Sequence, residues 1–395
     1  MPFVYLLLTL LLLSVMVVIH ELGHFLFARL FNVTVLEFSI GMGPAIFTTK
    51  KKNKKNTDDE LPFELSSSFT RESEPSKESA EVTANEQSEQ EITDGEVLAD
   101  TKTVFSIRAL PIGGYVSMAG EDQASKDKNA FCNKKVWQRL LITLAGPAMN
   151  LILGFLCVCI LVGIDGAQNQ LPSNTISYNE VENSISDKCE NPLMNGDKII
   201  KVNGVYVHTG NELDYEITNQ GHEPLDLTVV RDGKQIVLED VTFPVFETQG
   251  VKMGSIDFKV YRDEVTFGNI MKHAFFRSVS MVKMIVDSIV DLIGGRYGVD
   301  ALSGPVGVSE VVGQATQKGF YSVLYLFSFI TINLGVFNLI PFPALDGGRV
   351  LFLAYEGIFR KPVKKEVEQA INTVGLMLLM GLAVFVMIKD IFTLF

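Results

Sequence analysis

Four stretches of this 395-residue chain contain no Asp, Glu, Lys or Arg and are long enough to cross a bilayer: residues 1–19, 140–164, 319–345 and 370–388. About 20 apolar residues at roughly 1.5 Å rise span the hydrocarbon core, so each qualifies on length. Inside hydrocarbon the backbone must satisfy its own polar groups, and uninterrupted runs of this kind do so as helices. The pattern predicts a multi-pass α-helical membrane protein with four transmembrane helices. The first run is expected to be a retained helix rather than a secretory signal peptide. It lacks a positive leading segment and a small-residue cleavage site, and its helical pattern continues into His20-Glu21-Leu22-Gly23-His24. Residues 1–33 are therefore expected to form a retained helix.

Cations set the expected orientation. Arg29 and the lysine run at 50–55 follow the first span, Lys134, Lys135 and Arg139 precede the second, and Arg349, Arg360, Lys361, Lys364 and Lys365 lie between the third and fourth. The positive-inside rule makes these loops cytoplasmic, with both termini and the region 165–318 outside. The formal net charge of −12 belongs to one segment: between residues 56 and 101 fourteen acidic side chains face only Arg71 and Lys77. No basic stripe with interleaved aromatics appears, so nucleic acid is excluded as a partner. Cys132, Cys157, Cys159 and Cys189 have the spacing of neither a disulfide framework nor a structural zinc site.

Between the spans, residues 34–134 read as a β-hairpin that touches the membrane, interrupted at about 50–101 by a Ser-, Glu- and Asn-rich tract. That tract is too polar to repay its ordering entropy and is expected to be disordered. Residues 168–245 read as a small mixed α+β domain, with Asn203-Gly204 and Asp232-Gly233 as hairpin turns between apolar runs. Residues 266–300 read as an amphipathic helix lying on the membrane surface. The second, third and fourth spans are assigned to 135–165, 319–345 and 370–395.

His20 and His24 are four residues apart and share a helix face, so both imidazoles can bind one Zn²⁺. Glu21, about 100° round, reaches a water on the metal rather than the metal itself. Zinc lowers the pKa of such a water towards 7, and a neighbouring carboxylate can take its proton. Ionisable groups within a membrane helix are costly unless paired or coordinated, which marks this trio as functional. A catalytic zinc needs a third protein ligand. His208, His222 and His273 lie on the other side of the membrane in the topology above, so a carboxylate must serve. Asp346, the first charge after the third span, is on the correct side. The alternative is a Pro/Gly turn leaving the membrane with Asp346 merely solvated.

Taken together, the H-E-x-x-H helix, Asn338-x-x-Pro341-x-Pro343-x-Leu345-Asp346-Gly347-Gly348 after the third span, and Ala145-Gly146-Pro147 with Asn150 in the second resemble the site-2 proteases, intramembrane zinc metalloproteases. Ser303-Gly304-Pro305-Val306-Gly307 and the run 111–116 point to the bacterial branch that carries a PDZ domain and cleaves anti-sigma factors. The stretch 195–204, Asn-Gly-Asp-Lys-Ile-Ile-Lys-Val-Asn-Gly, is similar to part of a PDZ domain. The resemblance implies a multi-pass helical fold with a membrane-associated β-hairpin and one inserted extracytoplasmic PDZ-like domain. It implies Zn²⁺ as cofactor, His20, His24 and Asp346 as its ligands, and Glu21 as general base. Asn338, Pro341, Pro343, Gly113 and Gly114 would contact substrate.

Substrates would be single-pass membrane proteins pre-cut by a first protease, anti-sigma factors or remnant signal peptides among them. The location implied is the bacterial cytoplasmic membrane, with the site opening towards the cytoplasm. The PDZ-like domain would act as a steric gate, because Ile176-Ser177-Tyr178-Asn179 lacks a clear carboxylate-binding glycine loop. A PDZ-bearing scaffold with an inert metal site, or a metal transporter, would also place His and Asp in a membrane. A scaffold has no use for Glu21, and a transporter would spread polar residues through several spans.

Overall fold

The computed structural model describes residues 2–49, 103–121, 125–177, 186, 192–248, 251–296 and 302–393. The acidic tract and Cys189 lie outside the described residues. Among the described residues, four helices are long and apolar enough to cross a membrane: Val4–Leu30, Val136–Ala167, Phe320–Leu339 and Lys365–Asp390. They fall within α1 (Pro2–Leu30), α2 (Val136–Ala167), α6 (Phe320–Leu339) and α8 (Lys365–Thr393). The chain is a multi-pass helical membrane protein. The third span is shorter than its uncharged run, because α6 ends at Leu339 and Pro341 and Pro343 occupy a turn before α7 (Asp346–Phe359). Most of α8 turns apolar side chains outward, Met377 and Leu378 being 68% and 61% exposed, as befits a helix with lipid for a neighbour.

Between α1 and α2 stand β1 (Val35–Thr48) and β2 (Val104–Met118), which pair with one another. The register is interleaved. Phe38 faces both Val116 and Phe105, Ser39 both Tyr115 and Ser106, and Ile40 both Gly114 and Ile107. The first half of β1 thus runs between the two halves of β2, and residues 113–118 form one edge of the sheet. This hairpin packs on α1 through Val35, Val116 and Met118 against Phe25, Ala28 and Phe31. Glu37 within it accepts hydrogen bonds from Ser106, from Tyr115 at 2.7 Å and from Arg108 at 2.8 Å. Burial alone would raise its pKa, but these three donors hold the carboxyl below its ordinary range.

After α2 the chain builds a sheet of order β10-β3-β4-β6-β7, with β5 (Val205–Tyr206) paired to β4. The strands are β3 (Pro172–Ser177), β4 (Lys198–Val202), β6 (Leu225–Arg231), β7 (Lys234–Val241) and β10 (Lys259–Arg262). All pairings are antiparallel. Asn203-Gly204 and Asp232-Gly233 make the two tight turns, all four residues at positive φ. One helix, α3 (Gly210–Gln220), covers the sheet and closes a core of Ile176, Ile199, Leu213, Ile217, Leu227 and Val229. Thr209 and Glu212 cap its first turn reciprocally. Strands β8 (Val245–Thr248) and β9 (Val251–Gly254) form a separate ribbon.

Helix α4 (Phe267–Ile293) packs Ala274, Met281 and Ile285 against Val158 and Val162 of α2 and Ile332 and Val336 of α6, leaving Phe275, Val279, Val286 and Val290 exposed. A polar knot fastens it. Arg277 donates to Asp165 of α2 at 2.8 Å and to the Tyr321 hydroxyl of α6 at 3.2 Å. The Ser-Gly-Pro-Val-Gly run opens α5 (Pro305–Lys318), where the amides of Gly304 and Gly307 donate to Asp390 of α8 at 2.8 and 2.9 Å. A carboxylate from the last span therefore caps that helix.

Candidate metal centre

Two turns from its end, α1 brings His20 and His24 onto one face, both 8% exposed, with Nε2 atoms 3.2 Å apart. His24 Nδ1 lies 2.8 Å from the carbonyl of Ile142, which can only accept, so Nδ1 carries the proton and Nε2 presents a bare lone pair. His20 Nδ1 meets the amide of Asn150, a fully buried residue, at 3.4 Å. The Asn150 oxygen is otherwise without a partner, and turning the amide over would place it on His20 Nδ1–H. His20 then also offers Nε2 as a lone pair.

Asp346, the first residue of α7, brings Oδ2 to 3.0 Å from His20 Nε2 and 3.4 Å from His24 Nε2. That oxygen is shut off from solvent and has no hydrogen-bond donor. Two imidazole lone pairs and an orphaned carboxylate oxygen aimed at one point repel each other unless a cation sits among them. Nitrogen and oxygen donors of this kind suit Zn²⁺. His20, His24 and Asp346 form the one group of three such ligands among the described residues, their ligand atoms all within 4.8 Å of one another. The solvated turn expected as an alternative for Asp346 is not what the fold contains.

Close packing makes this convergence possible. A Cβ on Gly146 of α2 would lie 2.3 Å from His24 Nε2 and 2.8 Å from His20 Nε2, so only glycine leaves room for the imidazoles to meet. At Gly347 a Cβ would lie 2.1 Å from the Ile340 carbonyl oxygen, so the first turn of α7 can fold back against the end of α6 only without a side chain there.

Glu21 stands beside the triad. Its Oε2 accepts a hydrogen bond of 3.1 Å from the amide of Val116 in β2. The Val116 amide points away from β1, so the free edge of the hairpin faces the metal seat. A cavity of about 190 Å³ joins them, lined by His20, Glu21, His24 and Asp346 together with Tyr115 and Val116. Of the other residues singled out from the sequence, Asn338 is half-buried on the last turn of α6, Pro341 is exposed and Pro343 packs against Gly375 of α8. Gly113 and Gly114 are buried beside Val17 and Val18 of α1, about a turn before His20. None of these five lines the cavity. Two contributors went unread in the sequence, the Ile142 carbonyl and the Val116 amide. They are backbone groups, which residue types do not signal.

The chain matches peptidase family M50 over residues 8–65 and 90–382. It belongs to peptidase family M50. It is 32% identical to a protein of Clostridium acetobutylicum named as a zinc metalloprotease, over 99% of this chain and 98% of the relative. It is 30% identical to the zinc metalloprotease RasP of Shouchella clausii, over 97% of each chain. With the regulator of sigma-W protease RasP of Bacillus subtilis the identity is 28% over 96% of each. This M50 member is thus a membrane zinc metalloprotease, close to the site-2 protease homologues, with an intact His-His-Asp cluster compatible with zinc coordination.

Proposed function

We propose that this chain cuts single-pass membrane proteins within or near the bilayer, with His20, His24 and Asp346 holding zinc and Glu21 acting as general base. The observation that carries the reading is Glu21 lying beside the convergent triad, at the sheet edge where a substrate strand can be presented. Zinc bound there would supply a Lewis acid that polarises a substrate carbonyl and makes water acidic enough to ionise near neutral pH. Glu21 would take a proton from the attacking water and later give it to the departing amine, a task its hydrogen bond to Val116 prepares by fixing the carboxylate. The edge of residues 113–118 pairs with β1 on one side only, and its backbone groups other than the Val116 and Met118 amides, which donate to Glu21 and Glu121, are placed to receive an unwound substrate helix as an added strand. Strand addition exposes a peptide bond that a helix shields while still satisfying its polar groups. Asn338 and the Pro341–Pro343 turn would bound the same strand from α6.

The name of the Bacillus subtilis relative, regulator of sigma-W protease, supports a substrate in sigma-factor control, which we take to be an anti-sigma factor already trimmed by a first protease. The sheet from β3 to β10 with α3 is taken as a PDZ-like unit that gates access by size. It joins the far end of α2, roughly 30 Å of helix beyond Gly146. The acidic segment is assigned no part in the chemistry: Thr49, which precedes it, already donates its amide to the Phe105 carbonyl at 3.0 Å, so its flanks meet without it. The test is proteomics of bacterial membranes. Cells whose own copy carries Glu21→Gln are expected to accumulate membrane stubs lacking their outer domains. Identical stub profiles in wild-type and variant cells would refute the function.

The orientation proposed places the chain in the cytoplasmic membrane with both termini and the PDZ-like unit outside. Single cysteines at the exposed positions Lys234 and Lys361 in a cysteine-free background test it. A membrane-impermeant maleimide applied to intact cells is expected to label position 234 and spare 361. The opposite pattern would invert the topology.

A further inference from the structure

Beyond the triad and its base, the metal-site cavity contains one more charged pair. Glu121 follows the end of β2 by three residues, and its carboxylate is ion-paired with the guanidinium of Arg349. Arg349 lies three residues after Asp346, nearly one turn along α7. The pair therefore joins the strand that hydrogen-bonds Glu21 to the helix that presents Asp346. Both residues line the metal-site cavity. Both also wall a second cavity of about 220 Å³ bounded by α2, α7 and α8, so the pair stands in the partition between the two.

Helix α7 also packs against α2 and against the end of α6. Its buried residues are Gly347, Gly348 and Leu353, and at its far end Glu356 pairs with Arg139 of α2 at 2.5 Å. Two ion pairs of opposite polarity, one at each end, thus fix the helix along its axis and about it. The hairpin has its own hold on α1 through Val116 and Met118. What the Glu121–Arg349 pair adds is the registration of hairpin against α7, and hence of base against ligand.

We propose that Glu121 and Arg349 are positioning residues for proteolysis, fastening the strand that orients Glu21 to the helix that begins with Asp346. The proposal rests on the reading of Glu21 and Asp346 given above. A fully solvated ion pair would contribute little to stability or rate. Here the pair is partly shielded, Glu121 being 16% and Arg349 38% exposed, and the two groups it registers act on the same reacting atoms. Misplacing a catalytic group by about 1 Å can cost on the order of 10²-fold in rate.

The test uses the full-length, detergent-purified protein, a transmembrane reporter and bound zinc measured per chain. Glu121→Gln and Arg349→Gln are each expected to lower kcat by roughly 10- to 100-fold, leaving KM within about three-fold and zinc content unchanged. Arg349→Lys keeps the charge and is expected to stay within several-fold of wild type. The reversed pair, Glu121→Arg with Arg349→Glu, is expected to recover most of the loss. Wild-type kcat in both Gln variants, a loss confined to KM, loss of zinc, or an Arg349→Lys variant as poor as Arg349→Gln would each overturn the proposal. Glu21→Gln run in parallel keeps the two readings apart: normal cleavage by that variant would sink the assignment of the base whatever the pair variants do.

Discussion

Glu21→Gln is expected to keep its zinc and lose its activity. The side chain lies beside the ligand face, held by Val116 rather than directed among His20, His24 and Asp346, so the amide preserves shape and removes only the base. Loss of a general base costs roughly 10² to 10⁴-fold in rate. Asp346→Ala, His20→Ala and His24→Ala are expected to lose metal and activity together, because each removes one of three donors and leaves the others facing one another. Metal stoichiometry on purified protein, measured beside reporter cleavage, separates the two classes. Normal cleavage by Glu21→Gln would end the mechanism proposed. Full zinc and activity in Asp346→Ala would place the third ligand elsewhere. Glu121 is a poor substitute, since its carboxylate is committed to Arg349, and Asp122 lies outside the described residues.

Gly146→Ala is expected to weaken metal binding severely without replacing a ligand. One methyl group would arrive 2.3 Å from His24 Nε2, far inside van der Waals contact, and 2.8 Å from His20 Nε2. Relief requires an imidazole to swing away, and for His24 that breaks the 2.8 Å hydrogen bond to Ile142 that fixes its tautomer. Losses of 10- to 100-fold in metal affinity are typical when ligand orientation alone is disturbed, and displacing the ligands themselves should cost at least about as much. Gly163→Ala on the same helix is the control. It has nothing within 4 Å of the added carbon and is expected to bind zinc normally, with helix stability raised by up to about 1 kcal/mol. Chelator competition reads both, and circular dichroism checks that helix content is kept. Wild-type affinity in Gly146→Ala would mean that the imidazoles do not meet over that residue.

The spans were legible because membrane helices are specified by composition over about twenty residues, which needs no long-range information. The two turns of the β unit were legible for the opposite reason: Asn203-Gly204 and Asp232-Gly233 are complete local signals. What resisted reading was pairing between distant segments. Strand β10 joins β3 from beyond the 168–245 window that the turns delimit, and nothing in its four residues announces that partner. The interleaved hairpin hid for the same reason, since Phe38 has two cross-strand partners and its sequence predicts neither. At the site, residue types marked Glu21 and the three members of the triad. The fold alone revealed that Gly146 is a space requirement and that Asn150 addresses the outer nitrogen of His20.

The contact between His20 and Asp346 also sets a timetable. The two residues are separated by more than three hundred positions, and the helix that shapes their pocket, with Gly146 and Ile142, lies between them in sequence. A ribosome that has delivered only the first span has produced two histidines without a metal seat. The second span adds the walls and still no third donor. Only when α6 and the start of α7 have emerged can the last ligand close the site. A protease assembled in this order has no complete metal seat until Asp346 has been made, and a copy truncated before that residue carries no third ligand into the membrane.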